Sequence, residues 1–553
     1  MRNENKSKLE KDTTIFKKLI SKMTLEEKIG QMFQVGFKGT KVTSDIKEMI
    51  EGYYVGGIIY FRRNIESPQQ VSGLSNELQI LSASKRPGLP LMISTDQEGG
   101  MVSRLVGGTH FPGNMILGAT RNVRLAKRDG QAIARQLKAV GINMDFAPVL
   151  DVNNNPLNLV IGARSFGEDP LLVANLGVAF IKGMQAEGVI TCAKHFPGHG
   201  DTAIDSHLGL PVIKHEKEYL EKVELYPFKQ AIKVGVDSIM TAHIYFPALE
   251  PRKGVPATLS YNVLTGLLRR ELEFVGLIIS DCMEMKAITN SFGTIEGSVM
   301  SIEAGSDMIL VSHSLDKQKG AIKAVVKAVK EGRITEKRIN QSVLRILKLK
   351  RKRIGLEGPP ISDYRKINKK IEEEIAYQIS KEGVTLVKDK GNLIPIDKSN
   401  NKKILVIDFL LNKLSPAGDD VENKNLLVNF LRAEGIKVEH HTFLEDSNRL
   451  SLSEGIDLVI ICSFNAIHNP YQIKIIKKLH AINIPFIVLS INPYDLQVFP
   501  EVSTFLTIYD YSPFNLQVAS EVIVGKHKAQ GLYLLAGTPV VDTHVWAYGE
   551  KRK

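Results

Sequence analysis

Five apolar runs between Leu91 and Asp281 end in ionisable side chains. LMIST leads into Asp96, NMDFAPVL into Asp151, ITCA into Lys194 and His195, SIMTA into His243, and LIIS into Asp281. A single carboxylate in such a place is ordinarily a helix cap or a turn residue. Five runs ending this way point to a shared site. The densest stretch is KHFPGHGDT from Lys194, followed closely by Asp205 and His207. Its three imidazoles and two carboxylates suit either a metal or proton transfer. His195, His199 and Asp201 do not reproduce HxH or HxHxDH spacing, so no metal or other cofactor is expected. Asp205 and His207 are two apart, and in an extended or turning backbone they project to one side. The carboxylate then accepts the imidazole N–H and aims the other ring nitrogen outward. Taken alone, that pair is a local hydrogen bond on a surface loop. Catalysis needs a partner nucleophile, and Asp281 is suited to that role, with its carboxylate expected beside cations such as Lys194.

These residues need a scaffold that gathers strand ends. Eight near-continuous apolar runs have strand character: MFQVGF, VGGIIYF, LMISTDQ, NMDFAPVLDV, ITCAKHF, DSIMTAHI, FVGLIISD and DMILVS. Between them lie segments with apolar residues at three- and four-residue spacing, several closed by a glycine. Eight buried parallel strands alternating with helices predict a (β/α)8 barrel, whose chemistry sits at the C-terminal strand ends. A doubly wound sheet is the alternative. The basic helix RINQSVLRILKLKRKRI gives way to GLEGPP, where Pro359 and Pro360 cannot continue a helix. We therefore expect a tail over 1–12, a catalytic barrel over 13–355, and a linker with a connecting helix over 356–400. A smaller three-layer α/β domain over 401–540 and a tail over 541–553 complete the chain.

Lys plus Arg exceed Asp plus Glu by 72 − 60 = 12 over 553 residues, yet lysines such as Lys317, Lys319, Lys323 and Lys327 are spread along one helical pattern. That reads as solvated surface, and no nucleic-acid partner is expected. Cys192, Cys282 and Cys462 are far apart and show no CxxC spacing, which fits a reduced compartment. The charged start lacks an apolar signal core, and no apolar run approaches the roughly 18 residues of a membrane span. A cytoplasmic location is expected unless an upstream export signal is missing.

At the same residues the chain resembles the family 3 glycoside hydrolases, in particular their β-N-acetylglucosaminidase branch. The likeness rests on STDQEGGMVSRL, FPGNM, MDFAPVLDV with NNNP and ARSFGEDP, KHFPGHGDT with DSH, MTAHI, and SDCMEMKAI, all in the family's order. GVTLVKD and the second α/β alternation resemble the family's C-terminal domain. Carried over residue by residue, the resemblance implies that Asp281 is the nucleophile and that His207, oriented by Asp205, is the general acid/base. It further implies that Asp96, Arg104, Arg164, Lys194 and His195 hold the sugar. The substrate it implies is a GlcNAc-containing saccharide such as a cell-wall GlcNAc-MurNAc fragment, cleaved with retention.

Met101 departs from the arginine often found there, and the tail VVDTHVWAYGEKRK matches nothing in the family pattern. A glutamate of the C-terminal domain supplies the acid in the family's β-glucosidases, which keeps Glu445 and Glu454 as alternatives to His207. Transfer to phosphate, β-glucosidase or β-xylosidase activity, and a noncatalytic sugar-binding role are the competing functions.

Overall fold

The computed structural model describes residues 14–202, 209–397, 402–409, 417–418, 425–443, 455–499 and 501–535. Its first part is a closed parallel barrel. Strands β1 (Phe33–Val35), β2 (Gly57–Ile59) and β3 (Met92–Thr95) come first, and β3 leads into a small hairpin, β4 (Gln97–Gly99) and β5 (Val102–Ser103). The barrel continues through β6 (Met144–Asp145), β7 (Ile190–Phe196), β8 (Ser238–Thr241), β9 (Leu277–Cys282) and β10 (Met308–Val311). Its circular order is β1-β10-β9-β8-β7-β6-β3-β2, so all eight expected runs supply a strand of one barrel. They are apolar almost throughout because both faces are covered: β7, ITCAKHF, is buried at all seven positions. Among the polar exceptions is Gln34, whose Nε2 donates to Ser94 Oγ (2.6 Å) in the interior.

Helices of amphipathic period wrap the strands. The helix Val123–Ala139 starts on Asn122, whose side chain accepts the Arg124 and Leu125 N–H groups, and buries Leu125, Ile133 and Leu137. At the opposite end from the site, the basic helix Glu336–Arg353 spends its charge on carboxylates that precede strands. Arg345 Nη1 lies 3.0 Å from Asp307, while Lys352 and Arg353 bracket Asp237. Lys319, Lys327 and Lys330 pair with Glu48, Glu331 and Glu26.

The second domain is one six-stranded sheet ordered β11-β16-β15-β14-β12-β13. Its strands are β11 (Thr385–Asp389), β12 (Lys403–Phe409), β13 (Lys437–Phe443), β14 (Leu458–Ser463), β15 (Phe486–Ser490) and β16 (Thr504–Thr507). Only β11 runs antiparallel, against β16, and it comes from the stretch expected to be linker and connecting helix. Alternate residues divide between two cores. Ile404, Val406, Ile460 and Leu489 face the helices Leu426–Ala433 and Pro513–Ile523, whereas Leu405, Ile407, Ile461 and Val488 face Pro470–Ala481. That is the three-layer arrangement. The helix Lys369–Gly383 joins the domains, with Ile375 and Ile379 belonging to a core that runs unbroken from the barrel into the second sheet.

Candidate active site

The C-terminal strand ends open into a cavity of about 570 Å³. Asp96, Arg104, Arg164, Lys194, His195 and Asp281 all line it, so six of the eight candidate residues converge there. Asp205 and His207 lie outside the described residues, as do Glu445 and Glu454.

One wall is a compact charge lattice. Lys194, on the buried strand β7, sets its Nζ 2.7 Å from both Asp96 Oδ1 and Glu98 Oε1. The sequence places Lys194 as a cation beside Asp281; its ion pairs run to Asp96, just beyond β3, and to Glu98 of β4. Glu98 also receives both arms of the Arg164 guanidinium, Nε at 2.9 Å and Nη2 at 2.8 Å. Burial pushes the Glu98 carboxyl up, but the Arg164 and Lys194 cations outweigh it and hold the group well below the usual carboxylate range. Burial likewise opposes the charge on Lys194 and Arg164, and their carboxylate partners raise both above their ordinary values. All three groups are therefore charged in a nearly dry wall. Glu98 was not singled out from sequence; it lies on the short strand β4, which is buried at all three positions.

Beside this lattice, Asp151 accepts three hydrogen bonds. The backbone N–H groups of His195 and His199 donate to Oδ1 at 3.1 and 2.8 Å, and His195 Nδ1 lies 2.7 Å from Oδ2. Burial would raise Asp151, yet His195 and these donors bring it below its ordinary value. A carboxylate can only accept, so Nδ1 carries the proton and Nε2 is left for the cavity. Burial and the neighbouring His195 push His199 down to about 4, which leaves it neutral, with its Nδ1 2.9 Å from the Thr202 hydroxyl.

Asp281, at the end of β9, accepts the Cys282 N–H on Oδ1 at 2.6 Å. His243 steadies this strand end, donating from Nε2 to the Cys282 carbonyl (3.0 Å) while its Nδ1 meets the Thr258 hydroxyl (2.8 Å). His243 is thus a strand-end residue that holds the backbone beside Asp281. Also lining the cavity, Phe61 meets the tilted ring of His313 (5.2 Å between ring centroids) and the Arg63 guanidinium (4.3 Å from the Phe61 centroid). Arg104 reaches out of the barrel and donates from Nη2 to the Ala417 carbonyl of the second domain at 2.9 Å. Among the described residues, no three His, Cys, Asp or Glu side chains gather as a metal set, and no helix is long and apolar enough to cross a membrane.

A strand-end carboxylate facing a buried lattice of charges across one cavity is the arrangement of a barrel enzyme's active site. Residues 24–349 match the glycosyl hydrolase family 3 N-terminal domain. The chain belongs to glycosyl hydrolase family 3, and it is a glycoside hydrolase. It is 33% identical to a β-hexosaminidase A of Pseudoalteromonas piscicida over 408 residues, 68% of each chain. A β-N-acetylglucosaminidase/β-glucosidase of Cellulomonas fimi is 28% identical over 541 residues, covering 92% of this chain and 93% of that one. Among solved structures, a family 3 β-N-acetylglucosaminidase from Paenibacillus sp. str. FPU-7 superposes with a TM-score of 0.86 at 41% identity, covering 93% of this chain and 98% of that one.

Proposed function

We propose that the protein is a retaining exo-β-N-acetylglucosaminidase that removes a terminal GlcNAc from cell-wall fragments of GlcNAc-MurNAc type. The observation that carries this reading is the opposition, across one cavity, of Asp281 to the Asp96, Glu98, Lys194, Arg164 and His195 wall. Carboxylates and cations held in that fixed array suit the donors and acceptors of sugar hydroxyls. In the proposed reaction Asp281 attacks the anomeric carbon, and the glycosidic oxygen leaves with the proton of His207, giving a glycosyl ester. Asp205 orients the imidazole. Water then adds to the anomeric carbon as His207 takes its proton, and Asp281 departs as a carboxylate.

The name of the C. fimi relative favours β-glucosidase activity as the second reading. A panel of p-nitrophenyl β-sugars, with and without phosphate, tests both. We expect GlcNAc release to dominate. Faster release of glucose would overturn the choice of sugar, and GlcNAc 1-phosphate formation would overturn hydrolysis.

A further inference from the structure

Two buried side chains of the second domain end on loops that carry the charged wall. The Tyr494 hydroxyl lies 2.9 Å from the Asn153 carbonyl oxygen, to which it donates, and 2.8 Å from Asn153 Nδ2, from which it accepts. The Glu168 carboxylate also faces this hydroxyl. Asn153 passes the constraint on. Its Oδ1 accepts the Gly162 N–H at 3.1 Å, and Gly162 opens the short turn Gly162–Arg164 whose last residue grips Glu98. The second contact is Asp510. Its Oδ2 accepts the Gly113 N–H at 2.8 Å, while its Oδ1 is pinned by the Ser512 N–H (2.7 Å) and Asn515 Nδ2 (2.9 Å). The same Oδ2 lies against Gly100, in the turn of the β4–β5 hairpin that bears Glu98.

We propose that Tyr494 and Asp510 are positioning residues of the sugar site, through which the second domain fixes the two loops that bring Arg164 and Glu98 together. The inference rests on reading the Glu98 cluster as the sugar-holding wall. Neither residue touches the cavity. Tyr494 acts through a short chain of hydrogen bonds and Asp510 through its bond to Gly113 and its close approach to Gly100, and a small displacement of binding groups is costly in a preorganised site. Barrel packing does not by itself supply these bonds, since both side chains belong to the second domain.

The test uses the full-length chain. Wild type is measured first for turnover of p-nitrophenyl β-GlcNAc and for inhibition by free GlcNAc. Tyr494→Phe and Asp510→Ala are then expected to lower kcat/KM about tenfold, with KM and the GlcNAc inhibition constant rising together. Asn153→Ala keeps the main-chain carbonyl that accepts from Tyr494 but removes the Oδ1 link to Gly162. In that background Tyr494→Phe should add less than about twofold, because the onward link is already cut. Tyr377→Phe removes a hydrogen bond to Glu521 that ends on no site loop, and should leave the kinetics unchanged. If Asp510→Ala fails to fold, the Tyr494 and Asn153 pair decides. Lower melting temperature with unaltered KM and GlcNAc inhibition would overturn the proposal, as would full additivity with Asn153→Ala. A wild type that neither cleaves nor binds GlcNAc would overturn the functional reading instead, and the positioning role with it.

Discussion

Glu98 holds two cations in a place with almost no water, which makes it the most consequential side chain of the wall. Removing one member of a buried charged group leaves the others uncompensated. Glu98→Gln keeps the volume and one acceptor but removes the negative charge that faces both cations, leaving Lys194 with Asp96 and Arg164 with the Val160 carbonyl and a neutral amide. We expect a stability loss of about 3 kcal/mol and a fall in kcat/KM on the order of 100-fold. Denaturant titration and steady-state assays check both, and unchanged kcat/KM would remove Glu98 from the sugar wall. The proposed catalytic pair separates differently. Asp281→Ala should abolish turnover with the fold intact, and a fluoroglycosyl donor should label Asp281 in the wild type; labelling of another carboxylate would overturn the assignment. His207→Ala should slow release of a sugar leaving group far more than that of a dinitrophenyl group, and azide should restore the aryl reaction. Equal loss on both substrates, with no azide effect, would make His207 a loop-shaping residue.

The elements that carry these residues differ in how plainly the chain announces them. Barrel strands are buried on both faces, so VGGIIYF or FVGLIISD must be apolar throughout and stand out at once. The two sheet edges of the second domain do not. β13 reads KVEHHTF, polar at most positions because an edge strand needs only one partner, and it was not among the expected runs. β11 follows its helix without a turn signal, since Val384 alone separates them. The site was legible for the same reason as the barrel: ionisable residues interrupt apolar runs at strand ends. Glu98 and Asp151's grip on His195 were not, because both depend on contacts between segments distant in sequence. The hairpin around Gly100 shows such a contact in backbone terms. Gly100 has φ +55, and a Cβ there would lie 2.8 Å from Gly113 Cα and 2.9 Å from Asp510 Oδ2. Gly100→Ala should therefore cost about 2 kcal/mol through strain and crowding combined, and raise KM as the hairpin shifts. A variant with wild-type melting and KM would show that the hairpin turn is free to adjust.

At the scale of the whole molecule, the base of the barrel is tied to the last barrel helix by Lys350, a fully buried lysine whose Nζ donates to Gln31 Oε1 at 2.8 Å. Burial alone pushes its ammonium down from 10.5 to about 7. The sign of the pH effect follows from which state binds more protons. Between pH 7 and 10.5 the unfolded chain holds this proton and the folded chain does not, so stability rises with pH across that window. Below pH 7 both states are protonated, and the burial penalty is present in full. Glu224 works in another window: burial raises it to about 7, so between its ordinary value of 4.5 and 7 the folded state binds the extra proton and stability falls as pH rises. The two windows meet near neutrality, and substitution separates them. Lys350→Met removes the buried charge while keeping an unbranched apolar chain in the same space. We expect it to raise stability at pH 7 by a few kcal/mol, on the order of what replacing a buried ionic group with a packed apolar one achieves. The gain should shrink as pH climbs toward 10.5, where the native lysine is no longer penalised. Denaturant midpoints of wild type and variant, taken from pH 5 to 10, measure this directly. A difference that stays constant over pH 7 to 10 would mean that Lys350 keeps its charge in the folded protein and that Gln31 solvates it fully.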